Sequence, residues 1–146
     1  MVALGCDCNS FLLRTNVGDP RLRKAGDLLL VGSCMMQRFP DIVEEYSKRN
    51  GEAAVLHVCL EETHMNHAGF KIASMVRYAG IKRLTGLTID GSPHCVQLHY
   101  LIDDIKQHFT PEIETQHFVV EKGEVVEISP SSVKQSRHLS KIERHQ

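Results

Sequence analysis

Asp27-Leu-Leu-Leu-Val-Gly-Ser-Cys34 is a short apolar run closed by two small residues and a cysteine. It predicts a strand over 27–32. Two more runs are built alike, Ala53-Ala-Val-Leu-His-Val-Cys59 and Leu84-Thr-Gly-Leu-Thr-Ile-Asp-Gly-Ser-Pro-His-Cys95. As parallel strands they would gather three thiols at one edge of one sheet, where open α/β folds place their sites. That arrangement points to a metal site.

Working outward, the intervening segments have helical character. Pro40 suits a first helical position and Gly51 a stop, which predicts a helix over about 40–50. Phe70, Ile72, Ala73, Val76, Tyr78 and Ala79 fit a helix that ends at Gly80. A third strand spans 82–90, and a helix opened by Pro93 runs from about His94 to Phe109, turning Val96, Leu98, Leu101, Ile102 and Ile105 inward. Ile113, Thr115, His117 and Val119 alternate, and Lys122-Gly123 separates them from Glu124–Ile128, as in a hairpin. The tail from Ser131 reads as a polar helix. Residues 1–26, broken by Gly18, Pro20 and Gly26, read as an N-terminal surface arm, with a single domain over 27–146. The pattern predicts a three-layer α-β-α fold, its sheet mainly parallel with an antiparallel C-terminal edge.

Composition narrows the function classes. The 146 residues are 42% hydrophobic and 24% charged, enough for one globular core. Seventeen basic against 18 acidic residues leave no electrostatic footprint for nucleic acid or an anionic membrane, and no run is long enough to span a bilayer. The N-terminus lacks the pattern of a secretory signal, so a cytoplasmic location is expected. There thiols stay reduced, and five cysteines suggest metal or redox chemistry more than disulfides.

Cys34, His94 and Cys95 offer the ligand types of zinc. Adjacent residues both ligate only with an unusual backbone, whereas Cys95 and His99 share a helix face. The alternative is that Cys59 and Cys95 are small buried hydrophobes. Asp90 is a candidate to orient a ligating histidine or a metal-bound water, or else a turn or cap residue. Backbone N–H groups in Asp90-Gly-Ser-Pro-His-Cys95 can hold an anion. His57, His64 and His67 flank the end of the second strand, where a solvated loop is the default. Cys6 and Cys8 form a Cys-x-Cys pair.

From Asp27 to Ile128 the chain resembles the β-class carbonic anhydrases. Cys34-Met-Met-Gln-Arg38 is similar to that family's strand-end Cys-x-Asp-x-Arg, in which the cysteine binds zinc and the other two form a catalytic dyad. Met36 stands where the aspartate belongs. Phe70-Lys-Ile-Ala-Ser-Met-Val-Arg-Tyr-Ala-Gly resembles the helix leading into the third strand, and Gln116–Ile128 the last strand and hairpin. Cys95 aligns with the cysteine of the family's His-x-x-Cys, with Ser92 in place of its histidine and His94 two residues on.

The resemblance implies hydration of carbon dioxide by a zinc-bound hydroxide, formed because zinc lowers the pKa of its water from about 15.7 to about 7. It carries zinc onto Cys34, His94 and Cys95 and catalysis onto Arg38, with Asp90 a further candidate. The substrate expected is carbon dioxide or another small electrophile. Met36→Asp is then expected to raise hydration by restoring the dyad. The family's N-terminal arm embraces a partner subunit, but 26 residues leave it little room; a homodimer remains an expectation. Two other classes fit the residues: an iron-sulfur domain using Cys6, Cys8, Cys34, Cys59 and Cys95, and a non-catalytic small-anion module using backbone amides and Arg38.

Overall fold

The computed structural model describes residues 10–144. Strands β1 (Asp27–Gly32), β2 (Ala54–Val58), β3 (Arg83–Ile89), β4 (Glu114–Glu121) and β5 (Glu124–Ile128) form one sheet in the order β2-β1-β3-β4-β5. The first four are parallel and β5 is antiparallel to β4. The fold is thus a three-layer α/β domain, as its alternating strand and helix patterns predict. Lys122 and Gly123, with φ of 51° and 81°, form the two-residue turn between β4 and β5, a geometry that follows the strand twist.

Helices α1 (Pro20–Ala25), α4 (Met65–Ala79) and α5 (Pro93–His108) cover one face of the sheet; α2 (Ser33–Arg38) and α3 (Pro40–Ser47) cover the other. Side chains alternate accordingly along β1. Leu28 and Leu30 join Leu56, Ile72, Leu84 and Ile102 under α4 and α5, while Leu29 and Val31 join Met35, Met36, Val43 and Phe118 under α2 and α3. Local chemistry sets the helix ends: Asp19 caps α1, accepting from the Arg21 N–H at 2.9 Å, and Gly80 ends α4 at a φ of 68°.

Three segments differ from expectation. The turn expected after β1 is the short helix α2. The tail is two short helices, α6 (Pro130–Gln135) and α7 (Leu139–Arg144), clasped to α5 where Arg137 stacks on Tyr100 and reaches Asp104 at 2.9 Å. Residues 10–26 are packed against the domain rather than lying on it as a surface arm. Leu12 and Leu22 are wholly buried, and Phe11 bridges to His57 on β2. The short run Phe11-Leu12-Leu13 and the single Leu22 are too brief to show a period. Among the described residues no helix is long and apolar enough to cross a membrane.

Candidate functional site

Strand order reverses between β1 and β3: the chain leaves β1 toward β2 under α2 and α3, and leaves β3 toward β4 under α5. The crevice at the carboxyl ends of these two strands is the switch point of the fold, where ligands of open α/β sheets bind. Here it holds a cavity of about 120 Å³ lined by Gly32, Ser33, Cys34, Cys59, Ser92, His94 and Cys95, with Val58, Leu60 and Leu98 as apolar wall and Glu61 also lining it. Each thiol arrives by a different route. Cys34 lies in the first turn of α2, Cys59 follows β2, and Cys95 lies in the first turn of α5 behind the capping Ser92 and Pro93.

Cys34 and Cys95 converge. A Cβ on Gly32 would lie 3.6 Å from the Cys95 sulfur and 3.8 Å from that of Cys34, both ordinary contacts, so the two sulfurs flank one point above the glycine. Cys34 is exposed, Cys59 half-buried and Cys95 buried. Burial raises the Cys34 thiol above its ordinary pKa, negative charge on Cys95 and a hydrogen bond to it raise it further, and Cys59 adds a smaller push. The donor types suit zinc, but among the described residues no three His, Cys, Asp or Glu side chains converge tightly enough to hold an ion. The thiols as they stand are a pair with two nearby candidates for a third donor, Cys59 and His94.

The remaining expected residues lie elsewhere. Arg38, exposed at the end of α2, stacks over Phe39 with its guanidinium carbon 5.5 Å from the ring centre. Asp90 is exposed, and its backbone N–H donates to the Val120 carbonyl at 2.9 Å. Neither lines the cavity. Met36 points into the apolar layer under α2 and α3, with 3% of its surface exposed. His64 caps α4, its Nδ1 accepting from the Asn66 N–H at 3.1 Å, with the His67 ring 6.1 Å away. His57 pairs with the Ser33 hydroxyl at 2.9 Å. Cys6 and Cys8 lie outside the described residues.

One turn beyond Cys95, His99 turns from the cavity into a buried polar chain that the sequence did not reveal. Its Nε2 lies 2.8 Å from Thr88 Oγ1, and its Nδ1 lies 2.9 Å from the Nδ1 of His117. His117 Nε2 and Asp103 Oδ1 are both buried without a hydrogen-bond partner among the described residues. With the His117 proton on Nε2, its Nδ1 accepts from His99, whose Nε2 then accepts from Thr88. The opposite arrangement reverses both bonds, with His117 Nδ1 donating to His99 and His99 Nε2 donating to Thr88. Burial, then the neighbouring ring, pushes His99 down to about 3; burial also lowers His117, against the opposing pull of Asp103. The sequence signal was the spacing Cys95, His99, Asp103 along one helix face, with His117 inward on an alternating strand.

Gly32 is followed directly by Ser33 and Cys34, so the first strand-to-helix turn lacks the further glycines with which related folds approach a dinucleotide pyrophosphate. No curated protein and no solved structure matches the chain. A family model described as a Rossmann-like domain matches residues 19–146, taking in every strand and the cavity at the switch point, and the chain belongs to that Rossmann-like domain family.

Proposed function

We propose that this protein holds zinc at the carboxyl edge of its sheet through Cys34 and Cys95, with His94 as third protein ligand, and that the centre serves the hydration of carbon dioxide or a related small electrophile. The observation supporting this reading is the convergence of two thiols from either side of the switch point, above Gly32, in a cavity that His94 also lines. The resemblance to β-class carbonic anhydrases supplies the reaction class. Bound zinc would supply Lewis-acid chemistry and a lowered pKa for water. His94, already at the cavity, completes the set by turning toward the thiols. Val58, Leu60 and Leu98 give a wall suited to an uncharged small molecule. Glu61 is the carboxylate among the lining residues and a proton acceptor that does not depend on position 36.

The test is elemental analysis of purified, anaerobically handled protein beside its visible spectrum. Stoichiometric zinc without colour, with measurable hydration, supports the reading. Iron with sulfide and a brown solution replaces it with a cluster, which needs a fourth thiolate beyond the three described cysteines. Absence of metal with retained anion binding leaves the small-anion module.

A further inference from the structure

We propose that Cys34 and Cys95 are a redox-active dithiol that closes to a disulfide across the crevice between β1 and β3. This goes beyond the metal reading, because it needs only the two sulfurs. Both approach the same point above Gly32, at 3.6 and 3.8 Å from where a side chain would begin. They are asymmetric in the way exchange requires: Cys34 is exposed and can meet a reagent, while Cys95 is buried beside it and can only resolve what forms there. A pair of sulfurs converges, whereas no trio of metal-ligating side chains does among the described residues. Cys59, half-buried in the same cavity, is the competing resolving thiol.

The co-reactant is a low-molecular-weight disulfide of the glutathione type. The Cys34 thiolate attacks one of its sulfurs, forming a mixed disulfide and releasing one small thiol. The Cys95 thiolate then attacks the Cys34 sulfur; the Cys34–Cys95 bond forms, the mixed bond breaks, and the second small thiol leaves. The two protein thiols lose two electrons and two protons, and the reagent gains both as two thiols.

Reduced, metal-free full-length protein is titrated with oxidised glutathione, quenched in acid, and mapped by mass spectrometry of its peptides. The expected product is a Cys34–Cys95 cross-linked peptide two hydrogens lighter than its reduced parts, restored by a dithiol reductant, lost in Cys34→Ser and Cys95→Ser and retained in Cys59→Ser. A mixed disulfide persisting on Cys34, pairing of Cys34 with Cys59, Cys6 or Cys8, or unreacted thiols at excess oxidant each overturn the proposal. The principal readout is on the natural chain, so a poorly folding variant does not blunt it. Zinc content is measured on a separate reduced sample, and either result stands without the other.

Discussion

His99 and His117 meet Nδ1 to Nδ1 at 2.9 Å between α5 and β4, with both rings buried. Such a bond holds only while at least one ring is neutral, because two protonated nitrogens cannot face each other. The pair therefore ties the docking of α5 to the protonation state of the interior.

Stability should fall in mild acid. An unfolded histidine titrates near 6.5, whereas His99 in the fold is pushed down to about 3. Between those values the unfolded chain binds a proton that the folded chain refuses. This contribution is intact above pH 6.5 and is lost as pH falls toward 3, at up to ~1.4 kcal/mol per pH unit for one proton, steepened by His117. Urea unfolding at pH 7 and pH 5 checks it; identical midpoints would rule out the buried neutral pair.

Gly86 makes room for this pair. A Cβ there would come within 2.8 Å of Ile102 Cδ1 and 3.0 Å of His99 Nδ1, under the centre of α5. Gly86→Ala is expected to cost roughly 1–3 kcal/mol through overpacking. Thermal unfolding reads this, and a variant as stable as the parent would mean that α5 yields without loss.

On the proposed zinc site, Cys34→Ser and Cys95→Ser should each strip most of the metal, since a hydroxyl replaces a thiolate in a small ligand set. Cys59→Ser should leave most of it. Full occupancy in both of the first two variants, measured by elemental analysis, sinks the metal assignment.

Met36→Asp, which the resemblance to β-class carbonic anhydrases recommends, should fail as a repair. Residue 36 faces Met35, Val43 and Phe118 in the apolar layer, so the new carboxylate would be buried without a partner instead of reaching the cavity. A loss of about 3–5 kcal/mol in stability is expected, the scale of an uncompensated buried charge. A gain in hydration by a stable variant would show that α2 can turn its face.

Strand positions were legible because apolar runs bounded by glycine and proline have few other solutions: β1 is the predicted 27–32, and β2 and β3 lie inside their predicted spans. Helix α4 begins at Met65, before its apolar period becomes visible at Phe70, because His64 supplies a cap from its ring nitrogen. Helix α2 was hidden: six residues give too few turns for a period. At the site, the gathering of Cys34, His94 and Cys95 follows from strand ends alone. Where Arg38, Asp90 and Met36 point does not, because direction depends on which face α2 buries and how the turn after β3 is aimed. The histidine pair was harder still, since its members lie on a helix and a strand that only the tertiary fold brings together.

The sheet order has a consequence for the chain as it is made. Strand β1 emerges before both of its sheet neighbours, and Asp27 must await Arg83, 56 residues later, before its second ladder can close. Until then Leu28, Leu29, Leu30 and Val31 present an apolar edge with open backbone groups, the kind of surface on which newborn chains aggregate. Synthesis therefore passes through an interval when the strand that later supports Cys34 is the one most in need of shelter.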